Sequence, residues 1–369
     1  MKKLAIIGAS YLQLPLVKKA VEMGIETHCF AWAEGAVCKD YASYFYPISI
    51  LDKEEILKIC QQVQIDGITT IASDAAVPTV CFVAQSMGLL SNGYEDALVA
   101  TDKYKMRRRF EEFGVSSPRF LIASEAYSAA HLRYPLIVKP TDRSGSRGVM
   151  KVENPEDLSE AVLRAQKEAF SKQAIIEEYV SGSEVSVEGI SWKGKHYILA
   201  ITDKVTTKEP YFVELEHHQP SLLSPEIQEK IKEQTYKSLS ALNIHYGASH
   251  AELKITESGE VFVIEVGARM GGDFIGSDLV KLSTGYDFVR GVIEVALGTF
   301  EEPVSTFKKS SGVYFLCKET ERILPLLQNS TSHQEIVESD ISDTELRNIE
   351  CSADRSGYFI YQSDKRFLV

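Results

Sequence analysis

The first hundred residues alternate between short apolar runs and longer segments whose apolar positions have helical spacing. Such runs predict strands at Leu4–Ile7, Glu26–Trp32 and Gly67–Ile71, with helices up to Met23 and at Lys53–Gln62. Strands that alternate with helices predict a parallel sheet with right-handed crossovers. The first turn, GASYLQ, has one glycine where a dinucleotide fingerprint has three, so we favour simple packing of a helix on the sheet there.

The clearest pattern is a pair of alternating runs, His250–Thr256 and Val261–Gly267, around the turn signal Glu257-Ser258-Gly259-Glu260. If Ser258-Gly259 is a two-residue hairpin loop, one face of the hairpin is wholly apolar. The predicted cross-strand pairs on that face are Ile255 with Phe262, Leu253 with Ile264, and Ala251 with Val266. The other face places Glu252 directly opposite Glu265, with His250 and Lys254 beside them.

Two opposed carboxylates need an explanation. Opposed residues in an antiparallel pair have Cβ atoms roughly 5 Å apart, and like charges there are destabilising. Such carboxylates either share a proton or hold a cation, and a few oxygen ligands suit a Mg²⁺ ion that is shared with phosphates. A solvated hairpin face with Lys254 as counter-ion is the alternative. The residues that follow favour an anion-binding site built around a metal, because they give a cation and a flexible turn: Arg269, Gly271, Gly272 and Asp273.

A second glycine-containing loop lies between the predicted strands Leu136–Lys139 and Val149–Val152. Backbone N–H groups of such a Gly/Ser loop can surround phosphate oxygens. Positive charge would come from Lys139, Arg143 and Arg147. Upstream, Asp102 caps a basic helix, which places Lys103 at a helix N-terminus where it can point at a ligand.

Further polar residues lie in or near predicted strands. Glu177 and Glu178 interrupt an apolar strand, so either they lie at a sheet edge or one of them meets a ligand. The segment 211–220, YFVELEHHQP, carries Glu214 and two adjacent histidines. Because His217 and His218 would face opposite sides of a strand, we favour a loop at the mouth of a pocket over a zinc site.

Composition narrows the function classes. The chain has 369 residues, of which 44% are hydrophobic and 25% charged, as expected for a globular protein of two or three domains. Its net charge of −12 argues against a general binder of nucleic acid or membrane surfaces. The six cysteines show no CxxC spacing, and we find no signal peptide or transmembrane-length apolar run. We therefore expect a cytoplasmic protein with free thiols.

Five motifs follow one another along nearly the whole chain: the Asp102-Lys103 helix, VKP with its glycine loop, IIEEYVSGSE, HAELK and VFVIEVGAR. This order resembles the ATP-grasp superfamily, and it looks most like the carboxylate–amine ligases and the carbamoyl-phosphate synthetase/biotin carboxylase branch. The resemblance implies an α/β fold. A parallel-sheet domain at 1–95 would precede an ATP-grasp domain at 96–305 with a mobile lid at about 115–180, and a small β-rich C-terminal subdomain would occupy 306–369.

The resemblance also implies roles for individual residues. The residues that match nucleotide contacts are Lys103 and Lys139 for the phosphates; Ser144, Gly145 and Ser146 in the covering loop; Glu177, Glu178 and Val180 for adenine; and Glu184 for the ribose. Glu252 and Glu265 match the metal ligands. Arg269 matches an arginine near the transferred phosphate, which makes it and Lys139 the expected catalytic residues. The expected substrate residues lie in loops 205–220 and 270–278 or just before the second: Glu214, His217, Arg269, Gly271, Gly272 and Asp273.

One position departs from the family pattern. The family often has Asn two residues after the second metal glutamate, and this chain has Gly267 there. A backbone or water oxygen would fill the gap, Asp273 would substitute as a ligand, or a second Mg²⁺ ion would be held more weakly.

The implied reaction is phosphoryl transfer from ATP to a carboxylate, followed by attack of an amine on the acyl phosphate and release of ADP and phosphate. The cofactors would be ATP and Mg²⁺, with Mn²⁺ as a substitute. The partners would be a small-molecule carboxylate and amine, and a homodimer is compatible with this reading. Two alternatives stay open. One is a non-catalytic nucleotide-sensing protein of the same fold, and the other is a dinucleotide-dependent enzyme that uses the first domain.

Overall fold

The structure is a computed structural model that describes residues 1–124, 131–207, 209 and 211–369. Residues 125–130 of the predicted lid, and 208 and 210 of the predicted pocket loop, lie outside the described residues. Three sheets of four, four and eight strands organise the described chain.

The N-terminal sheet is parallel, with the strand order β3-β2-β1-β4. Its strands are β1 (Lys3–Ile7), β2 (Glu26–Phe30), β3 (Tyr44–Tyr46) and β4 (Gly67–Thr69), and its helices are α1 (Leu14–Glu22), α2 (Lys53–Val63) and α3 (Val77–Met87). Leu4 and Ile6 pack in the cluster that includes α1, whereas Ala5 and Ile7 pack in the cluster that includes α2 and α3. Both faces of β1 are therefore buried, and the predicted parallel α/β sheet is confirmed. The sequence does not predict β3, because three residues are too few to show a periodic pattern.

A small antiparallel sheet follows, with the order β5-β8-β6-β7. The elements from the end of the N-terminal sheet through this sheet are α4 (Tyr94–Ala100), α5 (Lys103–Phe113), β5 (Phe120–Ile122), β6 (Leu136–Pro140), β7 (Met150–Val152), α6 (Leu158–Glu168) and β8 (Ala174–Glu178). As predicted, Asp102 caps α5, and its carboxylate accepts a hydrogen bond from the Lys105 N–H at 3.0 Å. Helix α6 packs its buried alanines against β6 and β8.

The large sheet is antiparallel, with the order β13-β12-β9-β10-β11-β14-β16-β15. Its strands are β9 (Ser183–Trp192), β10 (Lys195–Thr206), β11 (Glu214–Gln219), β12 (Gly247–Ile255), β13 (Val261–Gly267), β14 (Ser310–Leu316), β15 (Ile336–Ile341) and β16 (Gly357–Ser363). The remaining α-helices are α7 (Pro225–Ala241), α8 (Val280–Thr284), α9 (Phe288–Leu297) and α10 (Leu324–Gln328). The segment 306–369, predicted as a small C-terminal subdomain, adds the strands β14, β15 and β16 to this sheet. The domain division at residues 95 and 305 stays a proposal.

The β12–β13 hairpin has the predicted register at one end only. Glu252 pairs with Glu265, and Ala251 pairs with Val266, as predicted. A bulge then shifts the register by one residue, so that Leu253 pairs with Val263 and Ile255 with Val261. The predicted pairs Leu253–Ile264 and Ile255–Phe262 are therefore wrong, and so is the two-residue loop, because residues 256–260 connect the strands.

The bulge has partners outside the hairpin. The Ile264 carbonyl accepts a hydrogen bond from Arg107 Nη2, and the Val263 N–H donates to the Ser116 carbonyl at 2.8 Å. β13 is an edge strand, and these contacts compensate for the ladder hydrogen bond that a bulge removes. The shifted register turns Phe262 and Ile264 away from the buried face.

Strand β11 replaces the predicted loop at the pocket mouth. Glu216 to Gln219 are all polar and all buried, and internal hydrogen bonds satisfy all of them except His217. His218 Nδ1 lies 3.0 Å from the Tyr361 hydroxyl, and Gln219 Nε2 donates to Thr202 Oγ1 at 2.9 Å. A strand satisfied in this way shows no apolar alternation, which is why its sequence looks like a loop.

None of the described helices combines the length and the apolar character needed to cross a lipid bilayer.

We predict that Leu253→Ala lowers the free energy of unfolding by roughly 2–5 kcal/mol, because Leu253 is fully buried and the change leaves a cavity. Chemical denaturation monitored by circular dichroism measures the loss. Leu222, which is 70% exposed, is the matched control, and Leu222→Ala should change stability by less than about 0.5 kcal/mol. Equal losses in the two variants would contradict the assignment of the hairpin face.

Candidate active site

A deep cleft lies between the small antiparallel sheet and the large sheet. It brings together most of the predicted site residues: Lys103, Lys139, Ser144, Gly145, Ser146, Glu177, Glu178, Val180, Glu184, Glu214, Glu252, Glu265 and Arg269. Four predicted substrate residues do not line this cleft: His217, Gly271, Gly272 and Asp273. The structure therefore gathers the residues predicted to bind nucleotide and metal in one cleft, whereas part of the predicted substrate set does not line it.

Lys139 projects from β6 into a buried group of charges. Its Nζ atom lies 2.8 Å from Glu177 Oε2, and Arg107 Nε lies 2.8 Å from the other oxygen of the same carboxylate. Burial lowers the pKa of Lys139, and the nearby Arg107 adds to this although Glu177 opposes it. Burial alone would raise the pKa of Glu177, but Arg107 and Lys139 outweigh it and lower that pKa. Glu177 thus stays ionised and holds the Lys139 ammonium group in place.

Lys103, at the first position of α5, connects three parts of the cleft. Its Nζ donates to Glu265 Oε1 at 2.8 Å and to the Arg143 carbonyl at 2.7 Å. Its backbone N–H donates to the Thr141 carbonyl at 2.8 Å, which ties the start of α5 to the glycine loop. Burial lowers the pKa of Lys103, but the charge of Glu265 outweighs it and leaves that pKa above its ordinary value.

The glycine loop, residues 141–148, uses its arginines locally. The Arg143 guanidinium lies 3.6 Å from the centre of the Phe170 ring, and Arg147 Nε donates to the Ser144 carbonyl at 3.2 Å. Both arginines also line the cleft, and their contribution of charge for phosphates stays a prediction. Gly148 has a φ of +71°, and a Cβ there would lie 3.1 Å from Pro140 and Glu168 side-chain atoms, so the loop returns to β7 through a conformation that favours glycine.

The segment predicted to contact adenine lies at the end of β8. Because side chains alternate along a strand, Glu178 faces away from the buried charges around Glu177. Its carboxylate accepts a hydrogen bond from the Arg133 N–H at 3.0 Å and lies 3.4 Å from Arg119 Nη1. Val180, just beyond the strand, lines the cleft.

The two opposed carboxylates each pair with a lysine from another element. Lys204 of β10 lies 2.9 Å from Glu252 Oε1 and 2.7 Å from Glu184 Oε1. Burial would lower the pKa of Lys204, but Glu184 and Glu252 raise it well above its ordinary value. The alternative with Lys254 as the counter-ion of the pair is wrong, since Lys254 Nζ lies 3.8 Å from Glu184 instead. The sequence does not indicate that Lys204 pairs with these carboxylates, because the pairing depends on β10 lying beside β9 in the sheet.

His250 lies between a fully buried carboxylate and a metal-ligand candidate. Its Nδ1 contacts Glu188 Oε1, and its Nε2 lies 3.4 Å from Glu252 Oε1. The other oxygen of Glu188 accepts a hydrogen bond from the Gly271 N–H at 3.0 Å. Burial alone would lower the pKa of His250, but Glu188 outweighs it and raises the pKa to about 9.

The donor set fits Mg²⁺. Within the described residues, no group of three or more His, Cys, Asp or Glu side chains is placed to hold a metal. Glu252 and Glu265 instead offer hard carboxylate oxygens in register, and the lysines predicted to bind phosphate line the same cleft. This suits an ion that keeps its waters and is shared with phosphate oxygens.

Arg269 follows β13 and is held by Asp74 of the N-terminal sheet region. Its Nε lies 2.9 Å from Asp74 Oδ1, and its Nη2 lies 2.7 Å from Asp74 Oδ2. Burial would lower the pKa of Arg269, but Asp74 raises it above its ordinary value. The sequence cannot show this pair, because the partners are 195 residues apart.

Asp273 pairs with the C-terminal region. Arg355 Nη1 donates to its Oδ2 at 2.8 Å, and the Arg355 guanidinium lies 3.7 Å from the centre of the Phe315 ring. Although burial opposes it, Arg355 holds the pKa of Asp273 well below its usual range. The same arginine donates to the Glu214 carbonyl at 2.8 Å. Asp273 does not line the cleft, so the expectation that it substitutes as a metal ligand is not supported, and Arg355 is a polar neighbour that the sequence did not indicate.

His217 is 1% exposed, and its ring nitrogens make no hydrogen bond to any residue that the structure describes. Its Nε2 lies 3.9 Å from Asp273 Oδ2. Burial lowers the pKa of His217, which keeps the ring neutral. We therefore place it in the wall behind the cleft.

The first βα turn is filled from within the protein. Gln13 Oε1 accepts a hydrogen bond from the Ser10 N–H at 3.1 Å, and Gln13 Nε2 donates to the Ile71 carbonyl at 2.8 Å. A Cβ at Gly8 would lie 2.9 Å from Gln13 Cδ. This side chain occupies the place where a dinucleotide's pyrophosphate would lie, which disfavours the dinucleotide alternative.

Comparison with known proteins identifies the fold and the domain. The family model described as the ATP-grasp domain matches residues 132–278. This chain carries an ATP-grasp domain. The prediction of that superfamily is confirmed, and the matched range includes the glycine loop, both opposed carboxylates and Arg269. Lys103, which lines the cleft, and Asp74, which pairs with Arg269, precede this range.

Curated relatives of this chain include ligases. The alanine–anticapsin ligase of Bacillus subtilis (strain 168) is 29% identical over 245 residues, which cover 59% of this chain and 51% of that protein. The carbamoyl phosphate synthase large chain of Thermoanaerobacter sp. (strain X514) is 25% identical over 262 residues, covering 69% of this chain and 24% of that protein. The chain thus spans about half the length of the alanine–anticapsin ligases it matches.

Among solved structures, the L-amino acid ligase from Bacillus licheniformis superposes with a TM-score of 0.81 at 24% identity, covering 99% of this chain and 94% of that one. At this identity the likeness shows the fold. It extends over the N-terminal sheet and the C-terminal strands as well as the ATP-grasp domain, and it confirms the predicted fold class.

We predict that His250 makes stability depend on pH. Because its pKa is raised above the unfolded value of about 6.5, its contribution is fully present below pH 6.5 and is lost as the pH rises through about 9. Urea unfolding from pH 6 to 9.5 should therefore show a fall that His250→Gln flattens. The exposed His245 is the control, and His245→Gln should retain the wild-type slope. An unchanged slope in His250→Gln would contradict the assignment.

Proposed function

We propose that this protein is an ATP-dependent ligase that joins a small carboxylate to an amine through an acyl phosphate and releases ADP and phosphate. One observation carries the proposal. The opposed pair Glu252–Glu265 faces the same cleft as the buried lysines 103 and 139, with Arg269 just beyond the second carboxylate. This combination suits an ion shared with phosphates next to a cation for a carboxylate.

The comparisons support the choice of ligase. One relative is named for joining alanine to anticapsin, and the similar solved structure is of an L-amino acid ligase. Amino acids supply both a carboxylate and an amine, so we propose amino acids or close analogues as the first substrates to test.

Each residue has a role that its position allows. Lys103 and Lys139 would neutralise phosphate oxygens, with Glu177 keeping Lys139 in place. Glu252 and Glu265 would hold Mg²⁺, which when bound neutralises phosphate charge during transfer. A substrate carboxylate held by Arg269 would attack the γ-phosphorus, and ADP would leave. The amine would then attack the acyl carbon, lose a proton and displace phosphate.

The glycine loop is the proposed cover of the reaction. It is anchored by β6 on one side and β7 on the other, and Lys103 contacts its Arg143 carbonyl. We propose that it closes over the phosphates and keeps water from the acyl phosphate, as part of a lid at about 115–180.

We predict that ADP and phosphate accumulate when the protein, Mg²⁺ and ATP are incubated with a suitable carboxylate and amine. A coupled ADP assay over pools of amino acids and small carboxylates identifies the pair, and mass spectrometry detects the new amide. Formation of AMP and pyrophosphate would contradict the acyl-phosphate route. ATP binding without turnover in any pool would favour the non-catalytic nucleotide-sensing alternative.

We predict that Glu265→Gln lowers Mg²⁺-dependent turnover by at least about 100-fold, because the metal contributes several kcal/mol of charge stabilisation. Turnover measured across a Mg²⁺ titration tests this, with thermal unfolding as a check of the fold. Glu257→Gln changes an exposed glutamate in the turn of the same hairpin and should retain wild-type turnover. Wild-type activity of Glu265→Gln at limiting Mg²⁺ would refute the metal assignment.

A further inference from the structure

Asp74 comes from a part of the chain that the ATP-grasp match does not include. It begins a short 3-10 helix, Asp74–Ala76, just after strand β4 of the N-terminal sheet. Both oxygens of its carboxylate pair with Arg269, at 2.9 Å and 2.7 Å. The two side chains are only 18% and 14% exposed, so water screens this ion pair weakly.

The pair uses one edge of the guanidinium and leaves the other edge open. Asp74 accepts from Nε and Nη2, whereas Nη1, within the described part of the chain, makes a single long contact of 3.3 Å to the Met270 carbonyl. A guanidinium has five N–H groups in a rigid plane, so fixing one edge fixes the direction of the other. Because Arg269 lines the cleft, the free Nη1/Nη2 edge is available for a second carboxylate in a fork geometry.

Gly267 lies directly against the Asp74–Arg269 pair. A Cβ at this position would lie 2.7 Å from Asp74 Oδ1 and 3.1 Å from Arg269 Nε and Cζ. A contact below 3.0 Å forces one of the partners to move. Asp74 and Arg269 therefore fill the volume that a side chain at residue 267 would need, which gives a reason for glycine two positions after Glu265.

The segment that carries Asp74 is itself fixed. Ala72 has a φ of +56°, a conformation that non-glycine residues rarely adopt, and its N–H donates to the Met270 carbonyl at 3.1 Å. Backbone and side chain of residues 72–74 thus attach to residues 269 and 270 independently. Such a double attachment holds the carboxylate still relative to the strand β13.

We propose that Asp74 is a positioning residue of the active site. From the N-terminal sheet region it orients Arg269, and the two side chains meet in the space that Gly267 leaves open. The free edge of the guanidinium is thereby directed to receive the substrate carboxylate. Asp74 acts through Arg269 and does not touch the substrate. The kinetic part of this proposal rests on the proposed function, whereas the geometric part does not.

The first experiment reads the geometry without turnover. Phenylglyoxal modifies guanidinium groups, and mass spectrometry of the peptide with Arg269 gives its rate of modification. In Asp74→Asn we expect Arg269 to react about tenfold faster than in the wild type, as for loss of a charge-assisted hydrogen bond. Asp66→Asn is the matched control, because Asp66 pairs with Lys2 at the surface of the same sheet. Equal rates in the wild type and Asp74→Asn would overturn the proposal.

The second experiment tests the space at residue 267. Gly267→Ala should raise the Arg269 modification rate as Asp74→Asn does, because the added Cβ displaces the carboxylate. In an Asp74→Ala background, which vacates the volume, Gly267→Ala should add little further. Independent effects that multiply in the double variant would overturn the link between the two residues. Thermal unfolding checks that each variant folds. If Gly267→Ala does not fold, the modification rate of Arg269 in Asp74→Asn, which keeps the side-chain shape, decides the proposal.

The third experiment separates positioning from simple interdomain stability. For Asp74→Asn we expect kcat/KM for the carboxylate substrate to fall roughly 100-fold, as for a small misplacement of a reacting group. The Kd of Mg-ATP should stay within about twofold of the wild type, since Asp74 contacts no phosphate-binding lysine. An unchanged kcat/KM for the carboxylate would overturn the role of Asp74. So would a loss of Mg-ATP affinity as large as the fall in kcat/KM for the carboxylate. If no pool supports ADP release, the proposed function fails while the modification experiments still decide the geometry.

Discussion

Two like charges face each other across the β12–β13 ladder, and much of the surrounding structure supplies cations to them. Glu252 and Glu265 lie in register, where repulsion would open the hairpin if nothing compensated. Lys103 arrives from α5 and Lys204 from β10, each within 3 Å of one carboxylate. The position of α5 and the order of the central strands are thus coupled to a local electrostatic requirement.

The same requirement explains how positive charge is kept ready in an acidic protein. With a net charge of −12, the chain attracts no anion by its overall field, so the cations for a nucleotide have to be gathered in one place. Lys139 is buried against Glu177, and Lys204 is buried among Glu184, Glu214 and Glu252. In the proposed reaction, phosphate and metal would replace parts of these ion pairs, so the charged side chains exchange partners and need little rearrangement.

The sequence predicted local patterns well and long-range geometry poorly. The parallel sheet, the cap at Asp102 and the Glu252–Glu265 pairing follow from periodicity within about twenty residues, and the superfamily follows from the order of its motifs. The bulge at Ile264 depends on Arg107, which looks like one more exposed arginine of a basic helix. Strand β11 escaped prediction because its partners, and not apolar residues, make it stable. Asp74 and Arg355 act through contacts that no spacing rule reports.

The separation of the contacting residues also has a consequence for how the cleft forms. Lys103 and Glu265 are 162 residues apart, Arg107 and Ile264 are 157 apart, and Asp74 and Arg269 are 195 apart. Contacts of such long range carry a large loop-closure cost and form late in folding. During synthesis, the N-terminal sheet and α5 leave the ribosome long before β13 exists, so the acidic strand meets its cations only after most of the chain has been made. Until then Lys103 and Asp74 are charges without their partners, and intermediates of this stage are the species most exposed to misassembly.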